Sequence, residues 1–236
     1  MFLIRSVLLL AFLLSGYILC SYLIEHYQLK NTQSVMADIY KESVIDNGED
    51  EKAEFTLQPL REVNEDIVGW IAIEGTAIDY PVVQSEDNAY YLTHSIYKED
   101  SSAGTIFMDY RNCPSPLDRH TVFYGHHMRN GMMFHDLISY KDEAFCKENP
   151  FIVYSGEEGI STWEIFSVYV TDSSDNYIET YFSSDAEFEK FLESIVSKSL
   201  YDTGCKVDRT DKIMTLSTCS YEFDDARMVV HAKRIQ

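Results

Sequence analysis

Ile213-Met-Thr-Leu-Ser-Thr-Cys219 and Arg227-Met-Val-Val-His-Ala-Lys-Arg-Ile235 are the two stretches that decide the fold. Both are rich in β-branched and apolar residues, which favours β-strands. Only a short loop separates them, and strands joined by short loops can pair antiparallel. If they do, Arg227 at the head of the second strand returns beside Cys219 at the end of the first.

Further strand signals lie upstream of this pair. Alternating or continuous apolar residues predict strands at 67–73, 77–84, 104–110, 120–124, 151–154 and 161–170. Short helices are predicted at 58–64, 87–94 and 131–145. Ser184 and Glu187 form a capping box that begins a helix of apolar period over 184–200. The pattern predicts one mainly β domain with helical insertions, and periodicity does not distinguish a barrel from a sandwich.

The N-terminal segment predicts a membrane anchor. Residues 7–24 carry no charge, and their length of 18 residues is enough to cross a bilayer of about 30 Å. Arg5 precedes them, so the positive-inside tendency places residues 1–6 in the cytoplasm and the rest outside the cell. We expect a polar, partly helical stalk at 25–54 and a globular domain at 55–236. A cleaved signal peptide is the alternative, although its apolar region is usually shorter, about 7–15 residues.

The chain is strongly acidic. Its 39 Asp and Glu residues against 19 Lys and Arg residues give a formal net charge of -20. Such a charge would repel a phosphate backbone, which argues against nucleic acid as a partner. Part of the acid lies in the run 47–54, which indicates an exposed linker. The five cysteines include no CxxC pair and no zinc-finger spacing, so the sequence predicts neither a disulfide framework nor a metal site.

Three segments carry residues suited to covalent catalysis. Gly125 ends a predicted strand, and either of the next residues, His126 and His127, could act as an acid and base near neutral pH. Cys219 ends a strand beside a loop, where a nearby cation would favour the reactive thiolate. Arg227 would supply that charge and donors for an oxyanion. Each has a plainer alternative: surface histidines, a buried structural cysteine and a surface ion pair with a neighbouring aspartate.

Together these segments resemble the sortase family, and within it class B. Thr215-Leu-Ser-Thr-Cys219 matches the TLxTC signature around the nucleophile, and Tyr124-Gly-His126 with residues 127–134 matches the histidine motif. Arg227 falls at the family's arginine position. The likeness extends over nearly all of 58–236, through 68–71, 78–84, 87–88, 91–92 and 106–112. The resemblance implies an eight-stranded β-barrel with N-terminal helices and a helix inserted before the cysteine strand.

The resemblance also implies roles for individual residues. Cys219 is the nucleophile, His126 is the general acid and base, and Arg227 holds the substrate carbonyl and the oxyanion. His126 is preferred to His127 because the family's histidine directly follows the glycine. Three further residues match positions that line the class B signal groove: Asn88, Leu92 and Ser217.

The expected substrates follow from the same resemblance. A secreted protein with a C-terminal LPxTG-, NPxTG- or SPxTG-like sorting signal would be cleaved after its Thr through a thioester. It would then be transferred to an amine of a peptidoglycan cross-bridge or a pilin, with no metal and no cofactor. Two alternatives stay open: a cysteine peptidase that hydrolyses the same type of signal, and a non-catalytic envelope-binding module. A histidine that precedes the cysteine in the chain argues against a papain-like peptidase, and three intact catalytic positions argue against the binding module.

Overall fold

The computed structural model describes residues 2–45 and 54–236. Within these residues, eight strands close into a barrel: β1 (Ile67–Ala72), β2 (Asp79–Val83), β3 (Phe107–Met108), β4 (His120–Tyr124), β5 (Phe151–Gly156), β6 (Gly159–Asp172), β7 (Ile213–Cys219) and β8 (Ala226–Arg234). The order around the barrel is β1-β2-β3-β4-β7-β8-β6-β5, which closes on β1. The β2–β3 and β4–β7 pairs are parallel and the others are antiparallel. The eight-stranded barrel implied by the resemblance is therefore confirmed.

The barrel interior is filled by apolar side chains that alternate along the strands. On β7 and β8 the inward side chains are Met214, Leu216, Met228 and Val230, all fully buried. Burying one such side chain contributes about 1.5–3 kcal/mol. Because successive strand residues point to opposite faces, the residues between them face outward, and these four side chains therefore fix which residues of β7 and β8 lie outside the barrel.

Four α-helices lie among the described residues: α1 (Phe2–Ser43), α2 (Gln58–Arg61), α3 (Glu143–Glu148) and α4 (Asp185–Ser197). The helix predicted over 131–145 is divided into a 3-10 turn, His135–Lys141, and α3. Asp142 separates the two, because its backbone is extended and its carboxylate accepts a hydrogen bond from the Ala144 N–H at 2.9 Å, which caps α3. The helix predicted at 87–94 is a single 3-10 turn, Tyr90–Leu92.

α1 runs without interruption through the predicted anchor and much of the predicted stalk. By length and composition it is the one helix among the described residues that could cross a membrane. Its second half packs on the barrel: Met36 is buried, and the Tyr40 ring stacks on Trp70 with 4.6 Å between ring centroids. After α1, Val44–Ile45 pairs with Glu54–Phe55. Most of the acidic run predicted as an exposed linker lies outside the described residues.

α4 begins where the capping box predicts. The Ser184 hydroxyl accepts a hydrogen bond from the Glu187 N–H at 3.2 Å. The reciprocal bond differs from the expected box, because the Glu187 carboxylate accepts from the N–H of Ser183, at 2.7 Å, one residue earlier. The helix then buries its apolar face against the outer surfaces of β6, β7 and β8, through Phe188, Phe191, Leu192 and Ile195.

Two histidines are fully buried beneath α4. His120 opens β4 and His231 lies within β8. Burial lowers the pKa of His120 to about 4 and that of His231 well below its ordinary value, because a protonated imidazole is poorly solvated there. Both rings are therefore neutral at physiological pH.

We expect the neutral His120 to make folding stability depend on pH. The unfolded chain protonates this residue near pH 6.5, whereas the folded chain does so only near pH 4. The contribution of neutral His120 to the free energy of unfolding is therefore complete above pH 6.5 and is lost as the pH falls toward 4. Between pH 7 and pH 5 this loss amounts to about 2 kcal/mol. Denaturant unfolding of the full-length protein in detergent micelles at the two pH values measures this loss.

The matched control is His120→Gln, which removes one titrating group but keeps a polar amide. Its stability should fall less than that of the natural chain between pH 7 and pH 5. The Asp and Glu residues whose pKa is lowered start from ordinary values of 3.8 to 4.5, so their contributions are lost mainly at lower pH. Equal pH dependence in the two proteins would contradict the neutral buried histidine.

Candidate active site

The β7–β8 hairpin places Arg227 opposite Cys219. The two strands pair antiparallel with these residues directly across from each other, as the sequence predicts. Side chains at directly opposed positions share a face of the sheet, with Cβ atoms about 4.5–5.5 Å apart. Cys219 is a free, half-buried thiol at the strand end. A cationic residue and a thiol residue from two strands therefore lie side by side at one edge of the barrel.

His126 reaches the same edge from β4. This strand pairs parallel with β7, and the pairing continues beyond its last residue: the Gly125 N–H donates to the Ser217 carbonyl at 3.3 Å, and the Thr218 hydroxyl donates to the Gly125 carbonyl at 2.7 Å. A Cβ atom at Gly125 would lie 2.8 Å from the ring of Phe134, so glycine allows this close approach. The next residue, His126, therefore lies alongside the end of β7.

The ring of His126 is oriented by a backbone carbonyl. Its Nε2 lies 2.7 Å from the Leu92 carbonyl oxygen. Since a carbonyl can only accept, Nε2 carries the proton and donates. In the neutral ring, Nδ1 then keeps a free lone pair. Leu92, one of the three predicted groove residues, thus contacts the candidate acid and base through its backbone.

His127 holds the backbone of the cysteine strand. Its Nδ1 lies 3.2 Å from the Cys219 carbonyl oxygen. The ring also contacts His135 and Tyr221, with centroids 4.8 and 5.0 Å away. Burial, with smaller contributions from His135 and Lys141, lowers the pKa of His127. These contacts indicate that His127 has a structural role at the end of β7.

The guanidinium of Arg227 contacts a backbone carbonyl rather than a neighbouring carboxylate. Its Nη1 donates to the carbonyl of Ala226 at 3.1 Å. Among the ion pairs of the described residues, none joins Arg227 to Asp224 or Asp225, the alternative that the sequence left open. Asp225 instead adopts a positive φ of 60° in the loop between β7 and β8.

Tyr177 lies beside the candidate site, and sequence patterns did not indicate it. It lies buried in the loop 173–183 between β6 and α4, and its hydroxyl is 2.9 Å from the hydroxyl of Ser217, another predicted groove residue. Burial raises the pKa of Tyr177; the nearby Arg227 opposes this shift and Cys219 adds to it. No helical or strand period marks this loop, so only the folded chain shows that Tyr177 lies beside the candidate site.

The third predicted groove residue, Asn88, belongs to a polar cluster centred on the buried carboxylate of Asp109. Its side-chain amide donates to Asp109 at 3.0 Å, and the Tyr124 hydroxyl donates to the same carboxylate at 2.8 Å. Arg111 donates two further bonds, at 2.8 and 2.7 Å. Burial opposes ionisation, but the bonds from Arg111, Tyr124 and Asn88 outweigh it and lower the pKa of Asp109. The cluster ties Asn88 to the end of β4.

Comparison with known proteins places this geometry in a family. A family model described as "Sortase domain" matches residues 71–235. Sortase B of Listeria monocytogenes is 39% identical over 236 residues, covering 97% of this chain and 94% of that protein. The structure of sortase B from Bacillus anthracis superposes with a TM-score of 0.81 at 40% identity, covering 90% of this chain and 99% of that one. A Staphylococcus aureus sortase B–substrate complex gives a TM-score of 0.75 at 33% identity, with 89% and 94% covered.

We expect Asp109→Asn to lower the free energy of unfolding by about 2 kcal/mol, because an amide nitrogen cannot accept the bonds that the buried carboxylate oxygen accepts from Asn88, Arg111 and Tyr124. Asp185→Asn is the matched control: it breaks the exposed Arg119–Asp185 pair, 2.7 Å long, and should change stability by about 0–1 kcal/mol. Urea unfolding of both variants measures the difference. Similar losses in the two proteins would show that the Asp109 cluster has no special weight.

Proposed function

This chain belongs to the sortase family as a class B cysteine transpeptidase, and from that premise we propose that Cys219, His126 and Arg227 cleave a C-terminal sorting signal. The signal is LPxTG-, NPxTG- or SPxTG-like and belongs to a secreted protein. Cleavage follows its Thr, and the protein is transferred to an amine of a peptidoglycan cross-bridge or a pilin. The juxtaposition of Arg227 and Cys219 across the β7–β8 hairpin is the observation that carries this proposal.

In the proposed first step, the Cys219 thiolate attacks the carbonyl carbon of the signal's Thr. Arg227 donates hydrogen bonds to the oxyanion that develops. The tetrahedral intermediate collapses as the bond to the leaving amine breaks, and protonated His126 gives that amine its proton. The product is a thioester between the Thr acyl group and Cys219. The orientation of His126 by the Leu92 carbonyl supports Nδ1 as the nitrogen that moves the proton.

In the proposed second step, an acceptor amine attacks the thioester carbon. His126 takes the proton that the amine loses, the C–S bond breaks, and Cys219 leaves as the thiolate. The new amide joins the secreted protein to the acceptor, and the enzyme returns to its starting state. Covalent catalysis thus divides one amide exchange into two steps of lower barrier.

We further propose that residues 7–24 anchor the protein in the cell membrane by a single span, with residues 1–6 in the cytoplasm and the domain at 55–236 outside. The apolar side chains exposed along the first half of α1 support this arrangement. An extracellular domain would meet secreted proteins and cell-wall amines directly. The contacts of Met36 and Tyr40 with the barrel would hold the domain close to the end of the span.

We expect Cys219→Ala to abolish cleavage of sorting-signal peptides, by about three orders of magnitude or more, because no other group replaces the covalent nucleophile. Cleavage and transfer are followed by chromatography with and without triglycine as acceptor. Cys113→Ala, which removes an exposed thiol, should keep full activity. Retained cleavage in Cys219→Ala would refute the nucleophile, and a product of hydrolysed acid only, at a rate indifferent to triglycine, would favour a hydrolase.

Arg227→Lys should lower kcat/KM by about 100-fold, because an ammonium does not reproduce the planar fork of donors around the oxyanion. Arg119→Lys is the control, because it makes the same exchange at an arginine that pairs with the exposed Asp185. We expect it to keep normal activity. Steady-state kinetics with the same peptide compare the two variants. Near-normal turnover in Arg227→Lys would remove Arg227 from the mechanism.

A further inference from the structure

A continuous hydrogen-bonded chain of buried side chains runs beneath α4. The Tyr169 hydroxyl lies 2.9 Å from His231 Nε2, and His231 Nδ1 lies 2.7 Å from the Thr215 hydroxyl. That hydroxyl lies 2.6 Å from His120 Nε2, and His120 Nδ1 lies 2.6 Å from the Glu179 carbonyl oxygen. The four side chains that form it are all buried. None of them has a role in the proposed chemistry.

The chain has only one arrangement of protons when both imidazoles are neutral. The Glu179 carbonyl can only accept, so His120 donates through Nδ1 and accepts through Nε2. Thr215 must then donate to His120, which leaves its oxygen to accept from His231 Nδ1. His231 Nε2 finally accepts from Tyr169. Every ring nitrogen is satisfied, which matters because an unpaired polar group buried here would cost about 1–3 kcal/mol.

The hydrogen-bonded series of side chains joins the three strands that carry or lead to the candidate catalytic residues. His120 begins β4, which leads to His126. Thr215 lies on β7, four residues before Cys219, and His231 lies on β8, directly opposite Thr215. The chain thus couples these strands to one another at a level below the site, and it ends on the loop 173–183 at Glu179.

Side chains hold this loop in place. The Glu179 carbonyl accepts from His120, and the neighbouring Ile178 carbonyl accepts from Arg111 at 2.9 Å. Nearer its start, Asp175 pairs with Lys198 at 2.6 Å. Between these points lies Tyr177, whose hydroxyl meets Ser217 beside Cys219. The placement of Tyr177 therefore depends on side-chain bonds on both sides.

We propose that His120 is a positioning residue: Thr215 and His231 orient its ring, and its Nδ1–H fixes the Glu179 carbonyl and thereby holds Tyr177 against the site. Its relevance to turnover rests on the proposed function. The hydrogen-bonded side chains lie in the interior of the fold. The last bond of the series ends on the loop 173–183, so a buried hydrogen bond would determine the shape of a surface that meets the substrate.

Thr215→Val and Thr215→Ser test this proposal. Valine keeps the size of threonine but removes the hydroxyl, so His120 and His231 lose their shared partner, whereas serine keeps the hydroxyl. In Thr215→Val we expect amide hydrogen exchange in residues 173–183 to rise about tenfold. We also expect kcat/KM for a sorting peptide to fall about tenfold, mainly through a higher KM, because loosening the loop lowers the population of the binding-competent state. Thr215→Ser should stay within about twofold of the natural chain in both measurements.

Ser161→Ala is the matched control for a purely structural effect. Its hydroxyl is also buried between two partners, since it donates to the Tyr154 carbonyl and accepts from Trp163 Nε1, each at 2.9 Å. We expect it to lose stability as Thr215→Val does, yet to leave loop exchange and KM unchanged. Equal changes of loop exchange and KM in both variants, or none in Thr215→Val, would overturn the proposal.

Two further results keep the test decisive, with all measurements made on the full-length protein in detergent micelles. If Thr215→Val does not fold, Tyr169→Phe removes only the first donor of the chain, and loop exchange about threefold faster is expected; unchanged exchange contradicts the proposal. If the unmutated protein cleaves no sorting peptide, the proposed function fails. The hydrogen-exchange comparison still decides whether the hydrogen-bonded side chains position the loop.

Discussion

The register of the β7–β8 hairpin is the constraint on which the candidate site depends. With Arg227 opposite Cys219, a cation and a thiol share one face at the strand ends. A slip of one residue in either strand would turn its side chains to the other face. Leu216 and Val230, opposite each other and fully buried, oppose such a slip because it would move them out of the core. The packing of the barrel thus fixes the geometry of the candidate site at its rim.

Strand pairing also places the third residue, His126, because β4 pairs parallel with β7. The close approach at Gly125 carries the chain past Ser217, so that His126 emerges beside the end of the cysteine strand. Segments outside the barrel then refine the arrangement: the Leu92 carbonyl orients the imidazole of His126, and the Tyr177 hydroxyl contacts that of Ser217 on the cysteine strand. Segments distant in sequence therefore contribute to one site: the barrel strands carry Cys219 and Arg227, and β4 leads to His126 two residues beyond its end.

Sequence patterns predicted the central strands better than the rest. The bounds predicted for β4 and β7 coincide with the structure, because both segments are rich in β-branched, aromatic and apolar residues and each is followed by a glycine or a loop. The strand predicted at 104–110 contains only the two residues of β3, since an apolar run shows burial and cannot show how much of it finds a pairing partner. Asp109 and His120 illustrate what sequence could not show, because their roles arise from hydrogen bonds to residues far along the chain, such as Asn88 and Thr215.

Detection of a thioester on Cys219 is the most direct test of the central claim. That claim is that Cys219, placed beside His126 and Arg227 at this rim, acts as the nucleophile. The full-length protein in detergent micelles is mixed with a sorting-signal peptide without acceptor amine, quenched in acid, digested with pepsin and analysed by mass spectrometry. We expect the peptide containing Cys219 to gain the mass of the acyl portion that ends at Thr, and triglycine added before the quench to discharge it. An adduct on another cysteine, or cleavage without any adduct on Cys219, would contradict the claim.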